Sequence, residues 1–328
     1  MANPLSWLRN GGLMLLLFVG FLVLLWGSTA PVGTLVWWLD RGEDKIERRS
    51  QRLEEVLDNG NDAAEGNKTC YIIYLTGVGD LSADDLSDGE TVFLAELQQN
   101  QPQCILVRDV FPYSAANQDV SGQRIFDFLK EITEKENGWE EFSQFLLEAR
   151  NVWRMALSAD NRYGRIYNRA IALTIVERMD AQQSIPISPD RSLQLILMGK
   201  SGGAQVALGA TPYLSQWLNA DITVISFGGM FNGNEGFEKA NHVYHLRGER
   251  DWIETIGGVV LPSRWHWTFG SPYNRARRED RYTVVESGSH AHQGDNGYFG
   301  TEKAEEGVPY VELTLEKVNQ LPIWSNLD

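Results

Sequence analysis

The sequence predicts an α/β protein: a mostly parallel central sheet flanked by helices, preceded by an N-terminal transmembrane helix. Three observations carry this. Short apolar runs (CYIIYL at Cys70–Leu75, CILV at 104–107, LILM at 195–198, ITVISF at 222–227, HVYHL at 242–246, YTVVE at 282–286) alternate with helix-compatible segments. That is the pattern of strands buried on both faces between crossover helices. The run at 195–198 stops abruptly at Gly199-Lys200-Ser201-Gly202-Gly203, a sharp strand-to-helix turn, and residues 11–39 hold no charged side chain.

The charge-free run is long enough to span a bilayer, and Trp7, Trp26, Trp37 and Trp38 suit its two interfaces. Small residues at Ser28-Thr29-Ala30 suggest a cleavable signal, but Pro31 would follow the cut and a second apolar run comes after, so an uncleaved anchor over 1–40 is favoured. Arg9 leads the span, whereas Arg41, Lys45, Arg48, Arg49 and Arg52 trail it, a bias that puts the large domain on the cytoplasmic side of a single-pass membrane protein. Residues 41–68 read as a charged helix with a thin apolar stripe (Ile46, Leu53, Leu57) and then a polar linker, DNGNDAAEGNK. The main domain is expected over 69–328.

Within 69–328, the first strand ends in Thr76-Gly77-Val78-Gly79-Asp80. A helix follows at 90–99, then the 104–107 strand. A helical insertion at about 123–183, broken near Asn137-Gly138 and Asp160–Gly164, precedes the strand that ends at Ser201. Its apolar residues (Trp139, Phe142, Phe145, Leu146, Trp153, Met155, Tyr163, Tyr167) suit helix packing better than substrate contact. Cys70 and Cys104 lie in strand-like segments and read as buried free thiols, with a disulfide between neighbouring strands as the alternative. A net charge of −15 argues against nucleic-acid binding, and two cysteines provide no zinc spacing.

The elbow carries the chemistry. Gly199 and Gly203 bracket Ser201 as G-x-S-x-G. Such a turn holds a serine hydroxyl above the sheet edge, and the glycines let strand and helix approach closely. A P-loop would need a glycine where Gln194 stands. A serine hydroxyl needs a neighbouring base, and the chain has five histidines. His242 and His245 lie in a strand and His266 in an aromatic loop. His290 and His292 follow the last strand, in ESGSHAHQG. Asp251, with Glu249 as alternative, follows the strand at 242–246.

Elbow, acid and histidine in this order resemble the α/β-hydrolase superfamily, over roughly residue 69 to the C-terminus. The resemblance implies an esterase- or lipase-like serine hydrolase without metal or organic cofactor, acting on a small-molecule or lipid ester. Ser201 would be the nucleophile, His292 or His290 the base, and Asp251 its partner. The backbone N–H of Gly202, with that of Val78 (Gly77 second), would form the oxyanion hole. The turn at 76–79 lacks the His-Gly start common in that family. A basic, aromatic stretch at 262–281 (Arg264, Arg275, Arg277, Arg278, Arg281, Trp265, Trp267, Phe269) suggests contact with anionic lipid, or a solvated loop. The rival reading is a non-catalytic, membrane-tethered binding module. Oligomeric state is not legible.

Overall fold

The computed structural model describes residue 51 and residues 68–80, 82–83, 86–113, 139–186, 192–304 and 307–326, with backbone only for 139–147. The predicted anchor over 1–40, the charged helix apart from residue 51, nearly all of the linker after it, and the first part of the insertion (123–138) lie outside these. Among the described residues no helix is long and apolar enough to cross a membrane.

Six strands form one wholly parallel sheet: β1 (Cys70–Leu75), β2 (Cys104–Val110), β3 (Leu193–Lys200), β4 (Ala220–Phe227), β5 (His242–Gly248) and β6 (Tyr282–Gly288), in the order β2-β1-β3-β4-β5-β6. Helices α1 (Asp88–Asn100), α2 (Trp139–Ala159), α3 (Gly164–Gln182), α4 (Gly202–Trp217), α5 (Trp252–Val260), α6 (Pro272–Arg278) and α7 (Tyr310–Asn319) fill the crossovers and the C-terminal segment. The strands run longer than their apolar cores because the ladder recruits polar neighbours such as Gln194 and Arg108.

Alternation along the strands divides the core. Ile72, Tyr74, Ile196, Met198, Ile225 and Phe227 pack with Phe93, Leu94 and Leu97 of α1 and Val311, Leu315 and Val318 of α7. The opposite parity (Tyr71, Ile73, Leu75, Leu195, Leu197, Val224) is equally buried, with α3 and α4 against the sheet. Both faces of the central strands β1, β3 and β4 are covered, which is why these read as continuous apolar runs, whereas the edge strand β6 is partly exposed. Of the insertion aromatics, Tyr167 is buried, with its hydroxyl donating to Pro112 O at 2.6 Å, whereas Trp153 and Tyr163 are exposed.

Cys70 and Cys104 are not free thiols. Parallel pairing sets them directly opposite on β1 and β2, and they form a disulfide with a Cα–Cα distance of 4.4 Å. The sequence placed each in a strand; register, which a single strand does not reveal, made them partners.

The chain enters β1, pairs outward to β2, then returns to the other side of β1 as β3. Strand order therefore reverses between β1 and β3, and the carboxyl ends of the strands open a crevice there. Ser201 sits directly after β3, at that point.

Candidate active site

Ser201 adopts φ 51°, ψ −121°, a left-handed conformation costly for a residue with a Cβ. It is held by Ser201 N–H to Phe227 O (3.0 Å) and by Met230 N–H to Ser201 O (3.3 Å). Three glycines make this turn possible. A Cβ at Gly199 would strike the backbone of Ala204, and one at Gly203 the carbonyls of Leu75 and Thr76. One at Gly202 would lie 2.7 Å from Val78 Cγ1 and 2.8 Å from Met155 Sδ.

The Ser201 hydroxyl lies 2.9 Å from Nε2 of His292, and Nδ1 of that ring lies 3.0 Å from each oxygen of Asp251. Asp251 follows β5 and is also the N-cap of α5, accepting the N–H groups of Ile253 (3.1 Å) and Glu254 (3.3 Å) through Oδ1. Burial alone would raise its carboxyl, but hydrogen bonds from His292, Tyr298 and the α5 backbone outweigh that and hold it below the usual carboxylate range.

His290 is not in this line. It is fully buried between the rings of Tyr298 and Tyr310, with Nε2 3.3 Å from Thr314 Oγ1. Burial, then the nearby Arg250 charge, pushes its imidazole down to about 4. A single residue, Ala291, separates the histidines, yet the loop turns one inward and the other to Ser201. Phe299 fixes this loop in the core, with ring centroids 5.0 Å from Phe93 and 5.1 Å from Phe227. The alternative acid, Glu249, is exposed.

The turn after β1 faces the elbow. Gly77 N–H donates to Asp80 Oδ2 at 2.7 Å, so it is spent and Gly77 is set aside as an oxyanion donor. Among the described residues no hydrogen bond occupies the N–H of Val78 or Gly202. Asn151 of α2 donates to Val78 O (2.9 Å) and Asp80 O (3.0 Å), clamping the turn from outside. From inside, Lys200 Nζ, one residue before Ser201, sits 3.1 Å from Glu90 Oε1 and 3.6 Å from Asp80 Oδ2. Glu90 also closes a capping box with Ser87 and accepts the Tyr74 hydroxyl at 2.5 Å. Burial pushes the Asp80 carboxyl up to about 6 against the pull of Lys200, with Glu90 adding to the rise. Glu90 starts from the same burial penalty, but its nearer Lys200 contact and its hydrogen bonds carry it below the ordinary value.

Sequence reasoning missed these supports. Tyr298 Oη donates to Asp251 Oδ2 at 2.9 Å and accepts Gly248 N–H at 2.8 Å. Nothing in a lone tyrosine signals that role, nor does anything in α2 single out Asn151. A second buried chain, Ser226 Oγ to His245 Nδ1 (3.0 Å) and His245 Nε2 to Glu254 (3.3 Å), imitates a triad. Ser226 and His245 have no exposed surface, so no substrate reaches them. A recess of about 420 Å³ lined by His242, Tyr244, Thr283 and Lys317 lies at the opposite end of β5 and takes no part. Among the described residues no cluster of His, Cys, Asp and Glu is arranged to hold a metal ion.

A hydroxyl within reach of an imidazole, itself oriented by a carboxylate, can lose its proton as it attacks an electrophile. Comparison with known proteins adds no identity: no protein-family profile matches the chain, and no curated protein resembles it.

Proposed function

We propose that this chain is a membrane-anchored serine hydrolase with an α/β-hydrolase fold, cleaving a carboxylic ester through an acyl-enzyme. The observation that carries the reading is the continuous line Ser201 Oγ–His292 Nε2 (2.9 Å) and His292 Nδ1–Asp251 (3.0 Å) at the carboxyl ends of β3 and β5. The left-handed backbone at Ser201 supports it, because such strain persists where function requires it.

In this reading Ser201 Oγ attacks the ester carbonyl carbon as its proton passes to His292 Nε2. The N–H groups of Gly202 and Val78 hold the developing oxyanion. The tetrahedral intermediate collapses, the C–O bond breaks, and the imidazolium returns its proton to the departing alkoxide. A water, deprotonated by the same imidazole, then releases the carboxylic acid and restores Ser201. Asp251 stays ionised, fixing the ring and stabilising its charged form. The charge-free run at 11–39 supports the anchor, and with it a lipid or other acyl ester as substrate.

A fluorophosphonate probe tests the chemistry. Labelling of the wild-type chain that disappears in Ser201→Ala is the expected result. A folded wild-type chain that takes no label would favour the non-catalytic binding module, and a substrate panel separates esterase from thioesterase or amidase.

A further inference from the structure

Helix α5 is amphipathic in the wrong sense for a helix facing water. Its buried residues are Glu254 and Gly257, whereas Trp252 (66% exposed), Val259 (67%) and Val260 (57%) face outward with Ile256. Just beyond it Trp267 is exposed and Phe269 wholly so. A soluble surface helix buries its apolar stripe and exposes its charges.

The charges here are withdrawn. From 252 to 270 the only charged residues are Glu254 and Arg264. Both are buried and pair with each other at 3.0 Å, with Arg264 also over the Phe231 ring. Arg264 is therefore not part of the basic surface that the sequence suggested. Arg275 pairs with Glu238, and Arg281 with Glu279 and the carbonyls of Phe237 and Ala240. Among the described residues Arg277 and Arg278 of that group are exposed and make no salt bridge, with Arg277 lying over the Tyr273 ring. The face is apolar rather than basic.

It is also built, not loose. Trp265 Nε1 donates to Val259 O (2.9 Å), and Asn274 Nδ2 donates to Trp265 O (2.7 Å) and Thr268 O (3.2 Å). These bonds hold the loop that carries Trp267 and Phe269 against α5.

We propose that α5 and the 265–269 loop form a bilayer-docking face that lays the mouth of the Ser201 site on the membrane surface. An uncharged apolar face edged with tryptophan and a few arginines matches the hydrocarbon–headgroup boundary. The chain's charge-free run at 11–39 supplies a reason for a bilayer to be within reach. Asp251 caps the same helix, so docking and catalysis share one element. The inference rests on the membrane-anchored reading, not on the chemistry of Ser201.

The test uses the full chain in phosphatidylcholine vesicles, with a polarity-sensitive fluorophore on Phe269→Cys or Val259→Cys and, as control, on Ala95→Cys of α1. Spin-labelled lipid should quench the 259 and 269 probes several-fold more than the 95 probe. Equal quenching at all three positions in a chain that floats with vesicles overturns the docking face and leaves the anchor standing. A chain that does not float overturns both. Probes at 259 and 269 shielded from aqueous iodide but not reached by lipid quencher mean that a second protein copy covers the face, which also overturns the proposal. None of these readouts depends on turnover.

Discussion

Tyr298 joins the two ends of the site's acid. Its hydroxyl donates to Asp251 Oδ2 at 2.9 Å while accepting the N–H of Gly248 at 2.8 Å, tying the histidine loop back to the end of β5. Asp251 thus has one oxygen on the α5 backbone and the other on Tyr298, so its rotamer is held by partners other than His292. Tyr298→Phe keeps the ring in its buried place and removes one bond to a charged group, worth about 1.5–3 kcal/mol. The expected result is a kcat about tenfold lower with KM unchanged, and an altered acid limb of the pH–rate profile. An unchanged kcat and profile would leave Tyr298 a packing residue.

The two loop histidines should separate cleanly. His292→Gln is expected to abolish fluorophosphonate labelling, whereas His290→Gln should keep it. His290 contributes instead to pH-dependent stability. Folded, it stays neutral down to about 4, whereas the unfolded chain takes up its proton near 6.5. The unfolded state therefore binds more protons between those values, and stability falls as pH drops through that window. Urea unfolding of wild type and His290→Gln at pH 4.5 and 7 checks this: the variant should show the flatter pH dependence.

Asp80 carries the opposite sign. Its carboxyl, held at about 6, keeps its proton to higher pH in the folded state than the unfolded chain does. Stability contributed by this group is present at low pH and declines as pH rises from about 4 to about 6, by up to about 3 kcal/mol. Asp80→Asn should remove that decline. Removing Lys200's charge as Lys200→Met leaves two buried carboxylates without their cation, at a cost of about 3–5 kcal/mol. Asn151→Ala is expected to lower kcat with little change in stability, because it frees the turn that holds Val78. A kcat like that of wild type would show that the turn holds its shape without the clamp.

The cysteine pair bears on the compartment in which the proposed membrane-anchored chain keeps its large domain. The Lys/Arg bias favours the cytoplasm, whereas disulfides persist chiefly in oxidising compartments. Alkylation of the native chain before and after reduction, read by mass spectrometry, distinguishes them: labelling only after reduction supports an oxidising compartment, and immediate labelling supports the cytoplasmic side. Closing a loop across 34 positions is worth about 4 kcal/mol in the chain-entropy account, so Cys104→Ser should lower stability by up to that amount.

Local chemistry made much of this protein readable from its residues alone. Apolar runs announce strands, so all six strands and the break in the insertion at 160–163 were legible, although β6 turns out to be an edge strand with Thr283, Val284 and Glu286 exposed. The Ser201 turn was legible because glycines at 199 and 203 leave room that no other residue leaves. What the sequence could not decide were relations between segments. Register made Cys70 and Cys104 a disulfide. Loop packing turned His292, not His290, toward Ser201, and the Asp80 carboxylate took the Gly77 N–H, leaving that of Val78 open. The apolar face of α5 depended on which side Glu254 buried, and that was decided by Arg264 and His245 reaching it from elsewhere in the chain. Such choices rest on desolvation and pairing across long sequence distances, which neither periodicity nor spacing records.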